Sequence, residues 1–221
     1  MESSLNDVLR KIKWLVVPYM AVLIICLCIK LAFTKSEIYF AVNGLYSPLA
    51  DAIAPYVTDL GNGWIAVAIA LIMLLFFSYR KALIVASSFA ITSLLGAQFT
   101  KYIFDAPRPK LYFQDQVKHL RFVKGIEILN YHSFPSGHTV TAFMLAVLLT
   151  YWSRNRAWGP VFLLIAILVG YSRMYLSEHF FEDVVAGSVI GFVLTTLWLW
   201  WLDSRKFIQR PGWQKGLLNR G

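Results

Sequence analysis

Residues 134–153 read FPSGHTVTAFMLAVLLTYWS, from Phe134 to Ser153. Fifteen residues from Thr139 to Ser153 carry no charge. They follow a turn-like Pro135-Ser136-Gly137 and a histidine, His138. Such a run reads as a buried or membrane helix opened by a polar cap. A bilayer crossing takes about 20 mostly apolar residues, so this run needs its neighbours to complete one. Five further apolar stretches accompany it: Trp14–Phe33, Gly61–Tyr79, Ala82–Thr100, Ala157–Ser172 and Val184–Leu202. Trp14, Trp64, Trp152, Trp158, Trp198, Trp200 and Trp201 cluster at segment ends, as interfacial aromatic belts do. The expected fold is all-α: a polytopic bundle of six transmembrane helices forming one membrane domain over residues 1–221.

Composition agrees. The 221 residues are 58% hydrophobic and only 15% charged. Soluble domains carry about 25% charge. A soluble enzyme, a disordered tail and a DNA-binding module are therefore disfavoured, and no nucleic-acid partner is expected. The net charge is +9. With six spans both termini share one side. That side holds Arg10, Lys11, Lys13, Arg80, Lys81, Arg154, Arg156, Arg205, Lys206, Arg210, Lys215 and Arg220 against Glu2, Asp7 and Asp203. Twelve bases against three acids account for the whole +9, and the other half of the charges cancels. Basic loops stay cytoplasmic. Residues 1–13 and the basic tail 203–221 are thus expected in the cytoplasm, and the other loops toward periplasm, lumen or exterior. Lys30, near the outer end of the first span, can snorkel. That span has no small-residue cleavage site and reads as retained rather than as a signal peptide. Cys26 and Cys28 lie inside it and suggest neither a disulfide framework nor a zinc site.

The outward segments are then 34–60, 101–138 and 173–183. Within Ser36–Thr58, the pattern Ile38, Phe40, Ala41, Leu45, Leu49, Ile53 predicts short interfacial helices covering the bundle or guiding a lipid. The same outer side carries three polar clusters. Lys101 and Arg108 stand seven residues apart, where Pro107 and Pro109 should end a helix. Ser136 and Gly137 open a helix whose free N–H groups favour an anion, with His138 in the first turn. Arg173 precedes His179 and Asp183, which are spaced i,i+4 and share a face if helical. A carboxylate on one imidazole nitrogen leaves the other as nucleophile or base. Each cluster alone has a bland reading as snorkelling, capping or a surface pair. Together they supply three cations, an amide nest, two histidines and a carboxylate at one membrane edge. That inventory fits phosphoryl transfer with Lys101, Arg108 and Arg173 in the charge-neutralising role of a metal. No metal ligand set or cofactor is expected. Asp105 reads as an ion-pair partner of Arg108 or Lys101, His132 as structural, and Glu178 and Glu182 as flanking acids. Lys110, Lys118, His119, Arg121 and Lys124 read as a solvated loop face or a second headgroup site. Thr58, Asp59, Gly61 and Asn62 read as a turn without chemistry.

In this order, Lys101-x6-Arg108-Pro109, Pro135-Ser136-Gly137-His138 and Ser172-Arg173-x5-His179-x3-Asp183 resemble the three signatures of the type 2 phosphatidic acid phosphatase superfamily, in its integral-membrane lipid phosphatase branch. All three are complete, and the likeness runs from the first span to the sixth. The resemblance implies that His179 attacks phosphorus to form a phosphohistidine, that Asp183 orients it, and that His138 serves as acid and then base. It implies that Lys101, Arg108, Ser136, Gly137 and Arg173 hold the phosphoryl group. The implied substrate is a lipid phosphate: phosphatidic acid, phosphatidylglycerol phosphate, undecaprenyl diphosphate or a lipid A phosphate. The competing reading is a transporter or channel for phosphate or lipid. The clustering of charge at one face and the lack of an internal repeat disfavour it. Related soluble haloperoxidases share such an anion pocket, but six spans argue against that branch.

Overall fold

A computed structural model describes residues 4–218; Glu2 and Arg220, counted above among the terminal-side charges, lie outside them. The described chain is helical, with no strand among the described residues. Helix α1 (Leu5–Lys11) opens on a capping box in which Ser4 and Asp7 satisfy each other's backbone N–H. Helix α2 (Lys13–Ala32) follows almost without a break. Two shorter helices come next: α3 (Lys35–Gly44), capped by Thr34 and Glu37, and α4 (Pro48–Asp59), capped by Ser47. Helix α5 (Gly63–Ile72) widens into a π-helical turn, Met73–Phe77. Helix α6 (Tyr79–Ile91) does the same over Thr92–Gln98 before α7 (Phe99–Phe104). The single-turn α8 (Pro109–Tyr112) and a long loop lead to α9 (Gly137–Trp152), α10 (Gly159–Tyr175) and α11 (Phe181–Asp203).

The helix α9 is the hub. It is apolar on all sides, and its residues from Thr139 to Leu148 are all buried among α6, α10 and α11. An all-round apolar stripe is what such a position requires. The seam with α11 is closed by glycine. A Cβ at Gly187 would fall 2.7 Å from the Ser136 carbonyl oxygen, so any larger residue would push α11 away from the start of α9.

Four helical stretches are long and apolar enough to cross a membrane: Lys13–Ala32, Tyr79–Tyr112, Arg156–Tyr175 and Phe181–Asp203. A fifth arises if Pro48–Asp59 and Gly63–Phe77, bent by 52°, act as one. The hub itself is a shorter apolar helix. The six apolar segments read from the sequence are thus all helical, but their lengths alone do not make six crossings. The expected stripe on the outer segment is also placed differently. Ile38 is buried and Phe40 half-buried, but Ala41, Leu45, Leu49 and Ile53 are exposed, whereas Asn43 and Thr58 are buried against the bundle. Polar partners inside the fold, described below, turn these helices and outweigh their apolar periodicity.

The two ends of the bundle are held by different polar groups. At the end where α1 and α11 meet, Asp203 is buried and accepts from Arg80 and from the Tyr151 hydroxyl at 2.7 Å. Lys11 in turn donates to Tyr151 at 3.0 Å. The tail folds back here, with Leu217 N and Leu218 N donating to the π-turn carbonyls of Leu74 and Leu75. The opposite end gathers the three polar clusters.

Candidate active site

Each cluster is delivered by a helix terminus. Helix α7 stops at Phe104, ahead of Pro107 and Pro109, and Asp105 turns the chain through a left-handed φ of +33°. Lys101 therefore sits in the last turn of α7 and Arg108 at the N-cap of α8. Ser136 caps α9; its hydroxyl accepts from the Thr139 hydroxyl at 2.9 Å and from Thr139 N at 3.4 Å. Helix α10 ends just past Arg173, and Ser177 reverses the chain at a φ of +58°. His179 lies in the connection, and Asp183 in the first turn of α11.

These termini converge. Lys101 Nζ lies 3.9 Å from where a Cβ at Gly137 would be, so a bare backbone faces the ammonium. The Ser136 N–H donates to the Asp183 carbonyl at 3.0 Å, tying the start of α9 to the start of α11. His179 is 1% exposed, with Nδ1 facing Asp183 Oδ2 at 3.5 Å and forming no hydrogen bond. The same Asp183 oxygen accepts from the Ser133 hydroxyl and from Phe180 N at 2.8 Å. Burial, then the nearby charges of Arg173, Arg108 and Lys101, hold the His179 imidazole well below its usual pKa, in the neutral form. Arg173 Nη1 donates to Thr58 Oγ1 at 2.9 Å, while its Nε is buried with no hydrogen-bond partner among the described residues. Ser172, beside it, donates to the Val169 carbonyl within its own helix.

The structure thus brings together Lys101, Arg108, Ser136, Gly137, His138, Arg173, His179 and Asp183. Three further groups belong to this cluster: Glu178 and Thr58, to which the sequence reading gave other places, and Ser133, which it did not single out. Glu178 is buried and its Oε2 lies between Arg108 Nη1 and Arg173 Nη2, the latter at 3.3 Å. It is not a solvated flank. Thr58, read as part of a turn without chemistry, touches Arg173. Ser133 holds Asp183. For Glu178 the available signals were its place next to His179 and five residues after Arg173; its other partner Arg108, the Asp183 partner of Ser133 and the Arg173 partner of Thr58 stand 70, 50 and 115 residues away.

Other expectations change. Asp105 does not pair with Arg108 or Lys101; it faces His132 Nδ1 at 3.1 Å on the exposed surface, because its left-handed backbone turns it out of the cluster. Lys30 pairs with Glu182. In the long loop, Lys110, Lys118, His119 and Lys124 are exposed, but Arg121 is a tie: it pairs with Asp51 and stacks 4.3 Å from the Tyr46 ring centroid. Among the described residues, no three His, Cys, Asp or Glu side chains are grouped as metal ligands.

Comparison with known proteins gives the family. Residues 80–207, more than half of the chain, match the family model of the PAP2 superfamily. A lipid A 4'-phosphatase of Porphyromonas gingivalis is 27% identical over 166 residues, covering 72% of this chain and 69% of that protein. The undecaprenyl-diphosphatase BcrC of Bacillus subtilis is 26% identical over 174 residues, 76% of this chain and 83% of that one. Among solved structures, Aquifex aeolicus LpxE aligns with a TM-score of 0.65 at 26% identity, over 76% of this chain and 96% of its own. A PAP2-type phosphatidylglycerolphosphate phosphatase from Bacillus subtilis shares the fold, with a TM-score of 0.58.

Proposed function

The chain belongs to the PAP2 superfamily of membrane lipid phosphatases, and from that premise we propose that it hydrolyses a lipid phosphomonoester or diphosphate without a metal, at the outer face of a bacterial inner membrane. The candidate substrates are those in its relatives' names, lipid A phosphate, undecaprenyl diphosphate and phosphatidylglycerol phosphate, together with the phosphatidic acid that the sequence resemblance implies. Both termini are cytoplasmic in this reading, the bundle crosses six times with the short stretch Gly63–Phe77 and the short hub counted, and α3 and α4 lie at the outer interface.

One observation carries the reading: a buried, neutral His179, backed by Asp183, at the meeting point of Lys101, Arg108 and Arg173. In the first step His179 Nε2 attacks phosphorus, since Nδ1 faces the carboxylate. The bond from phosphorus to the lipid oxygen breaks, and His138, which holds a proton once the anionic substrate offsets the charges of Lys101, Arg108 and Arg173, supplies the proton that oxygen needs. In the second step His138 takes a proton from water, the water oxygen attacks phosphorus, and the P–N bond breaks to free inorganic phosphate and His179. Lys101, Arg108, Arg173 and the N–H groups opened by Ser136 and Gly137 hold the phosphoryl oxygens. The unpartnered Arg173 Nε supports this, because an idle buried donor is costly unless a ligand uses it.

The test is phosphate release in detergent micelles from the four lipids, with excess chelator. Wild type is expected to release phosphate from at least one lipid. His179→Ala is expected to lose roughly 10^3-fold or more. Release without turnover loss in His179→Ala overturns the mechanism; no release from any lipid favours a transporter, which micelles cannot register. Strict dependence on added magnesium overturns the metal-free reading.

A further inference from the structure

Glu178 is the one acid in this cluster that no step above uses. It is 5% exposed, and its two partners, Arg108 and Arg173, are 5% and 7% exposed. A single oxygen, Oε2, meets both guanidinium groups. Arg108 comes from the loop ahead of α8 and Arg173 from the end of α10, so this oxygen joins the first and third clusters directly. Arg108 is fixed from other sides as well: its N–H donates nothing to solvent but goes to the Asn130 carbonyl at 2.8 Å, and its Nε donates to the Tyr131 carbonyl at 3.0 Å. Arg173 is fixed by Thr58.

Two buried guanidinium groups repel each other, and each is costly to desolvate alone. A carboxylate between them removes both objections and sets their separation before any substrate arrives. It leaves Arg173 Nε unpartnered, a donor still open to an anion. The backbone aims it there. The left-handed Ser177 turns the chain inward, and the N–H groups of both Glu178 and His179 donate to the Arg173 carbonyl, at 3.0 and 3.2 Å. Glu178 and the nucleophile are thereby registered on the same arginine.

Resting on the phosphatase reading, we infer that Glu178 is a positioning residue, a carboxylate strut that holds Arg108 and Arg173 as a preset pair for the phosphoryl group. The residue acts through the arginines and does not touch phosphorus. Its removal should therefore weaken the binding of phosphate as well as its transfer. Gln offers one oxygen at the same reach and should restore part of the effect; Ala should not.

The test compares wild type, E178Q and E178A, each purified in detergent and matched for folded fraction by size exclusion and thermal melting. Inorganic phosphate affinity is measured by calorimetry, and kcat and KM on the lipid that wild type turns over. E178A is expected to bind phosphate at least tenfold more weakly and to lose about 100-fold in kcat/KM, the scale of a misplaced catalytic group. E178Q is expected to lie between E178A and wild type in both. Unchanged phosphate affinity and KM in folded E178A overturn the inference, as does tighter phosphate binding, which would make Glu178 a competitor of the substrate. Equal losses in E178Q and E178A overturn it too. Calorimetry keeps the two readings apart: a wild type that binds phosphate but hydrolyses no lipid sinks the enzyme assignment while the strut is still measured. A wild type that binds no phosphate sinks both.

Discussion

His179 is neutral for the same reason that it is positioned: it is enclosed, and the groups around it are cations. The sign of the resulting pH effect follows. In the unfolded chain the imidazole takes a proton near pH 6.5. In the fold it does so only at much lower pH. Between these values the unfolded state binds more protons, so stability falls as pH falls through 6.5. Going from pH 6.5 to 5.5, this one group should cost about 1 kcal/mol. His179→Gln removes the effect, so its melting temperature should fall less than that of wild type over the same interval. An equal fall in both proteins would mean that His179 titrates normally. Thr58 contributes in a different way, as a single acceptor for Arg173. Thr58→Val keeps the shape and removes the oxygen. A hydrogen bond to a charged group is worth about 1.5–3 kcal/mol, so KM should rise roughly tenfold or more with kcat nearly held. A fall in kcat at constant KM would speak against a binding role. At this scale the sequence was legible where chemistry is local. His179 and Asp183 are four residues apart, and Ser136, Gly137 and His138 are consecutive. Glu178, Thr58 and Ser133 were not legible, because an acid, a threonine or a serine looks the same whether buried against a distant partner or facing water.

Among the elements, α3 is the least explained by its own sequence. Its apolar pattern suggests a helix lying passively on the bundle, yet its buried groups include Tyr39 and Asn43. The Tyr39 hydroxyl donates to Ser177 Oγ at 3.0 Å, and Asn43 Nδ2 reaches both that oxygen at 3.0 Å and the Arg121 carbonyl at 2.8 Å. Ser177 is the left-handed residue that leads into Glu178 and His179. Helix α3 therefore braces the turn that carries the proposed nucleophile. Asn43→Ala should lower kcat by about tenfold and increase amide hydrogen exchange over residues 176–180. Unchanged exchange there would leave α3 as a cover only. The α9–α11 seam depends on a different element property, close approach. Gly187→Ala places a Cβ against the Ser136 carbonyl, backbone that cannot swing aside. The start of α9 must shift, and phosphate affinity should fall severalfold along with stability. Gly44→Ala, where nothing lies within 4 Å, is the matching control and should leave both unchanged. Helices as such were legible from apolar run length. The π turns and the 52° bend were not, since they answer to packing: a Cβ at Gly61, in the bend, would lie 2.6 Å from the His138 carbonyl oxygen.

For the molecule as a whole, the polar clusters sort to opposite ends of the helices. Lys11, Arg80, Tyr151 and Asp203 close one end, and the proposed phosphate-binding set closes the other. The bases counted on the terminal side outnumber its acids by nine, whereas the site end is balanced despite holding Lys101, Arg108 and Arg173. Bulk charge thus bears on orientation and says nothing of the anion that the site binds, while the site's own cations are hidden in a neutral total. An orientation argument of this kind is strongest when it counts short loops, and the 80–81 and 154–156 connections are short. It predicts that both face the cytoplasm. With Cys26 and Cys28 replaced by Ser, single cysteines are introduced at the exposed Lys124 in the long loop and at Arg154 in the connection between α9 and α10. In intact cells of the host, a membrane-impermeant maleimide added from the periplasmic side should label Lys124→Cys, and Arg154→Cys only after the inner membrane is opened. The reverse pattern would put the catalytic end in the cytoplasm. Labelling of both sites in intact cells would mean that the chain does not cross between them, and the short hub α9, which joins the two ends, would then not be a crossing at all.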